Sequence, residues 1–136
     1  MPIDFQIIKD TLKNDERVIF AYLYGSSLSN NIKIPRDIDL AVYVVDKKDA
    51  FIVSSDLKVK LSKTTNIPPD SFDVRIINDL LSSIDAFSLF YLKDVLEGEV
   101  LVDKDFHLRA NYIERYSLKY RSSIGILDEV ICCGNR

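Results

Sequence analysis

Histidine occurs once in the 136 residues, as His107, and cysteine twice, as the adjacent pair Cys132 and Cys133. A lone imidazole has no second histidine with which to build a metal cluster or a catalytic triad, so His107 reads as a surface or internally satisfied residue. Neighbouring cysteines can neither tie distant parts of a chain together nor match the ligand spacing of a zinc site, and they read as reduced thiols of a cytoplasmic protein. Only four glycines are present, and neither GxxxxGK(S/T) nor GxGxxG occurs, which removes the P-loop and dinucleotide-binding readings. No apolar run approaches the ~20 residues of a membrane helix, and the opening MPIDFQIIKDTLK scatters Asp, Gln and Lys among its apolar positions. Neither a membrane span nor a secretion signal is expected. An excess of basic charge is missing too: 18 Lys and Arg stand against 21 Asp and Glu, for a net charge of -3. Such a chain repels polyphosphates at long range, and no direct nucleic-acid binding is expected.

What is present suits one globular domain over residues 1–136, with 47% hydrophobic and 29% charged side chains. A catalytic domain with a separate substrate domain does not fit into this length. Ile3, Ile7, Ile8 and Leu12 recur at helical spacing. The run Val18 to Tyr24 is almost continuously apolar and ends at Gly25, as a buried strand would. After a loop with Ser, Asn and Pro comes a strand from Asp37 to Val45. Ile38, Leu40, Val42 and Val44 share one of its faces, and Asp37, Asp39, Ala41 and Tyr43 the other. Ala50, Val53, Leu57 and Leu61 predict a helix that breaks at Pro68-Pro69. Phe72 to Ile77 alternates as a third strand with Asp73 opposite its apolar side. A helix capped by Asn78 or Asp79 runs through Tyr91 to about Gly98, a short edge strand covers Glu99 to Val102, and a long helix ends the chain. The predicted fold is α/β (α+β), a small mixed sheet of three to four strands covered on one face by helices. The acids take the other face.

The chemically informative segment is Gly25-Ser26, ten intervening residues, and Asp37-Ile38-Asp39, followed by Asp73 on the next strand. Carboxylates at i and i+2 of a strand point the same way and can converge on a divalent metal. Asp73 joins them if the two strands are neighbours. Three carboxylates together repel one another unless cations intervene, so the arrangement points to Mg²⁺ held by Asp37, Asp39 and Asp73. Two such ions can activate an attacking hydroxyl and stabilise a pyrophosphate leaving group, which is nucleotidyl transfer in outline. Gly25 permits a tight turn, and Ser26 offers a hydroxyl and a backbone N–H to phosphates. From the chain's own composition the Gly-Ser…Asp-x-Asp pattern is expected by chance only roughly 0.005 times.

The string YGSSLSNNIKIPRDIDLAVYV resembles the signature of the DNA polymerase beta superfamily of nucleotidyltransferases, and the short length resembles its minimal nucleotidyltransferase (MNT) branch. LKDVLEGEVLVDKD is similar to that branch's C-terminal helix and strand. The resemblance implies a polymerase beta-like fold in which Asp37 and Asp39 bind metal, Asp73 binds metal and acts as base, and Gly25 and Ser26 contact the phosphates of ATP. Catalysis would then rest on Ser26, Asp37, Asp39 and Asp73. Relatives often carry an arginine and a second glycine soon after Gly-Ser, where this chain reads Ser27-Leu28-Ser29-Asn30. Arg36 stands in place of a common serine and is a candidate phosphate contact.

Members that act on tRNA, DNA or aminoglycosides add further domains, so the resemblance narrows to the antitoxin of HEPN/MNT toxin–antitoxin pairs. There AMP passes from ATP to a tyrosine hydroxyl of the HEPN ribonuclease. A HEPN-type toxin is therefore the implied partner, with a homo-oligomer or a hetero-oligomer with the toxin as the assembly. Two other readings stay open. One is a noncatalytic antitoxin that docks through Tyr112, Tyr116 and Tyr120, unless these rings pack on their own sheet. The other is an aminoglycoside-type small-molecule nucleotidyltransferase whose pocket a second subunit completes.

Overall fold

The computed structural model describes residues 4–25, 37–82 and 86–133, the last of these with side chains at 87–122. Four strands pair into one sheet: β1 (Val18–Tyr24), β2 (Ile38–Val44), β3 (Phe72–Ile76) and β4 (Glu99–Asp103), in the spatial order β3-β2-β1-β4. β1 is antiparallel to both of its neighbours, whereas β2 and β3 are parallel. A parallel pair requires a long crossover, and the helix α2 (Ala50–Thr65) supplies it. α1 (Phe5–Lys13), α3 (Ala86–Leu96) and α4 (Phe106–Cys133) complete the order. α1 starts at Asp4, whose carboxylate accepts the Gln6 N–H at 3.0 Å. α2 stops where Asn66 takes a left-handed φ of 62° ahead of Pro68 and Pro69.

The mixed sheet and the long last helix are those the pattern predicts, but helices cover both faces of the sheet. On one face Ile8 and Leu12 of α1 and Val53, Leu57 and Leu61 of α2 pack on Ala21, Leu23, Ile38, Leu40, Val42 and Val74. On the other, Leu89, Leu92 and Val95 of α3 and Tyr112 and Tyr116 of α4 pack on Phe20, Tyr22, Tyr24 and Ala41. The cause lies in β1, whose seven residues are apolar on both sides, so one layer of helices would leave three aromatic rings in water. A bulge between Val18 and Phe20 shifts the register with β2, and Val18 packs with the first cluster while Phe20 joins the second. The tyrosines of α4 belong to the domain's own core: Tyr112 is 3% and Tyr116 9% exposed, and the Tyr112 hydroxyl donates to the Ile77 carbonyl at 2.7 Å. Tyr120 is partly buried against the same cluster, so the three rings expected as a docking face pack on their own domain.

Where a helix is expected from Leu80 onward, Leu80–Ser82 form a 3₁₀ turn, and α3 is described from Ala86. Asn78 does not simply cap it. Its Oδ1 accepts the Val44 N–H at 2.9 Å and its Nδ2 donates to the Val44 carbonyl at 2.8 Å, so the side-chain amide pairs with the end of β2 as another strand would.

Asp15, in the turn from α1 into β1, is the buried charged residue among those described, at 4% exposure. Arg17 grips it with Nε on Oδ1 at 3.0 Å and Nη2 on Oδ2 at 2.8 Å, and Lys60 of α2 adds Nζ on Oδ2 at 2.9 Å. Lys104, beyond β4, donates to its backbone carbonyl at 2.8 Å. One residue thus joins the start of β1 to α2 and to the segment after β4. The hydrogen bond from Arg17 is the main force holding the Asp15 carboxyl far below the usual carboxylate range, against the opposing cost of burial. Because the folded-state value is depressed, this stabilisation is complete above the unfolded value near pH 4 and fades as pH falls. Asp15→Asn is expected to cost about 1–3 kcal/mol at neutral pH, less than a fully buried pair because Arg17 and Lys60 can resolvate. Urea titrations between pH 2 and 7 should show the native protein and the variant converging toward acid.

Candidate active site at the end of the sheet

Tyr24, Asp39 and Asp73 are successive Cα partners across β1, β2 and β3, which puts them side by side on the face that carries α3 and α4. β3 lies next to β2 in parallel, so the condition that brings Asp73 to Asp39 is met by the strand order. Asp37 comes one residue before β2 at the same end of the sheet. Asp39 is half-buried, and Asp37 and Asp73 are exposed. The Asp39 carboxyl is pushed above its ordinary range, first by burial and then by the charges of Asp73 and Asp37, with Arg75 opposing. The three acids therefore share one electrostatic environment.

Gly25 closes β1 with a φ of +77°, and a Cβ built there would stand 2.6 Å from Asp39 Oδ2. The absence of a side chain lets the backbone pass directly against this carboxylate. Ser26 and Arg36 lie outside the described residues, and so does the rest of the loop between them. His107 is exposed on α4, apart from this group.

Three residues that motif reading passed over complete the setting. Arg75 follows Asp73 by two positions and so shares its face; its guanidinium carbon lies 4.6 Å from the centre of the Tyr91 ring. Tyr91, on α3, shares a hydroxyl–hydroxyl hydrogen bond of 2.7 Å with Tyr24, and their rings meet edge-on at 5.3 Å. Burial is the main cause that raises both phenols above their ordinary value, and the charges of Asp39 and Asp73 add to it at Tyr24. The period of two exposes Arg75 in the sequence, and Tyr24 adjoins the Gly-Ser motif. Nothing local marks Tyr91, which arrives from α3.

Among the described residues no three His, Cys, Asp or Glu side chains are placed to hold one metal ion as they stand. Asp37 and Asp73 are exposed and Asp39 is half-buried, so the three acids share one end of the sheet without being gathered about a single point. The donor set itself fits a hard divalent cation: it offers oxygen ligands only, and a cation would offset the charges of Asp73 and Asp37 that add to burial in raising Asp39.

A mixed sheet flanked by helices, with acids on neighbouring strands behind a strand-ending glycine, is the frame of a nucleotidyl-transferring enzyme. Residues 6–107 match the family described as polymerase beta, nucleotidyltransferase, and the chain belongs to that family. The same fold occurs in a crystal structure of a toxin–antitoxin with AMP-PNP, at a TM-score of 0.62 and 20% identity, covering 95% of this chain and 99% of that one. It also occurs in a mutant MntA–HpeT toxin–antitoxin complex at a TM-score of 0.61 and 19% identity, with coverage of 95% and 99%. At these identities the likeness is one of fold. No curated protein matches the chain. No helix among the described residues is long and apolar enough to cross a membrane.

Gly25→Ala is expected to destabilise the fold by about 1–3 kcal/mol, since the new methyl must displace the Asp39 carboxylate at a left-handed φ. Asp39→Asn should do the reverse. A raised carboxyl favours the folded state most at acid pH, and that contribution disappears as pH rises through the folded-state value. The native protein should therefore melt below Asp39→Asn at pH 7, with the gap narrowing toward pH 4, as differential scanning calorimetry would show.

Proposed function

We propose that the protein is a Mg²⁺-dependent adenylyltransferase that moves AMP from ATP onto a tyrosine hydroxyl of a HEPN-type ribonuclease toxin, and so acts as its antitoxin. The observation that carries this reading is the neighbouring placement of Asp39 and Asp73 on parallel strands, with Asp37 at the same end and Gly25 against the Asp39 carboxylate. Membership of a nucleotidyltransferase family supports the reaction class, and fold neighbours that are toxin–antitoxin complexes, one with AMP-PNP, support the partner and the nucleotide.

In this reading Asp37, Asp39 and Asp73 hold the metal, and Gly25 and Ser26 contact the phosphates. Bound Mg²⁺ supplies charge neutralisation at the phosphate chain. Asp73, exposed at the sheet end, takes the proton of the tyrosine hydroxyl. The phenolic oxygen bonds to the α-phosphorus, the bond from that phosphorus to the bridging oxygen breaks, and pyrophosphate leaves with the electron pair. The domain occupies the whole of residues 1–136 and works in the cytoplasm with the toxin as its partner.

Incubation with Mg²⁺, ATP labelled at the α-phosphate and the HEPN toxin should transfer label to the toxin. Asp37→Asn, Asp39→Asn and Asp73→Asn should each lower transfer about a hundredfold or more, because several kcal/mol of transition-state charge stabilisation is lost. Toxin that stays unlabelled would sink the reading. Amide variants that still protect cells would replace it with neutralisation by binding.

A further inference from the structure

We propose that Arg75 is a phosphate-binding residue of this site, its guanidinium stationed on the Tyr91 ring to receive oxygens of the nucleotide's phosphate chain. The inference rests on the reading of the site as one for a nucleotide. Arg75 follows Asp73 by two positions on the edge strand β3, and its Cα partner on β2 is the buried Ala41. Its side chain is exposed and, among the described residues, makes no ion pair. An arginine beside three carboxylates would ordinarily close on one of them. Here it stands over an aromatic ring instead, 4.6 Å from the ring centre.

That ring is itself held. The Tyr91 hydroxyl is bonded to that of Tyr24 at 2.7 Å, and the two rings meet at 88°. The guanidinium is therefore placed by α3 and β1 together, while its five N–H donors are not spent on any described carboxylate. Stacking costs none of these in-plane donors, and their fork geometry suits phosphate oxygens better than a lone ammonium would. Its charge also reaches the site, since it opposes the rise at Asp39 and at both tyrosines. A triphosphate brought to a sheet end lined by Asp37, Asp39 and Asp73 needs a nearby cation that those acids have not consumed. Arg75 is such a cation.

Calorimetric titrations of ATP and of adenosine in Mg²⁺ buffer test this with Arg75→Gln and Arg75→Ala, both at an exposed position. The expected result is an ATP Kd raised about tenfold or more, with adenosine affinity and melting temperature unchanged. Unchanged ATP affinity, or equal weakening of ATP and adenosine, would overturn the role. Failure of the native protein to bind ATP at all would overturn the nucleotide reading beneath it, an outcome distinct from native-like binding by the variants.

Discussion

Everything about the candidate site depends on the parallel pairing of β2 with β3. The Asp39 and Asp73 Cα atoms are direct partners in that pairing, so two like charges stand on adjacent strands about 4.8 Å apart. In a sheet whose purpose was stability alone, opposite or apolar residues would occupy such a pair. The fold tolerates the repulsion because the pair lies at the end of the strands with Asp73 exposed, while α2 and the apolar face beneath supply the compensating burial.

The two ends of β1 treat carboxylates in opposite ways. At its start Asp15 is buried and satisfied by Arg17 and Lys60, and its carboxyl is held far below the usual range. At its end Asp39 is half-buried beside further negative charge and is raised. The first arrangement stabilises the fold, and the second costs it stability at neutral pH.

The second helical layer matters for more than burial. By covering the aromatic side of β1, α3 brings Tyr91 against Tyr24 and beneath Arg75. A sheet with helices on one face would have left the acids without this wall, and Arg75 without a ring to stand on. The same packing draws Tyr112 and Tyr116 inward and removes them from any external surface.

The strand boundaries, the i and i+2 acids and the strand-ending glycine could all be read in the residue order, because they depend on local periodicity and on backbone freedom at one position. The Val18–Tyr24 strand is found as predicted, buried almost throughout. Strand neighbours and the second layer of helices could not be read, since they depend on which surfaces meet after folding. The adjacency of Asp73 to Asp39, the Tyr24–Tyr91 bond and the stacked Arg75 join residues 34, 67 and 16 positions apart. No local pattern encodes such pairings, because the free energy that selects them comes from burying whole faces of the sheet at once.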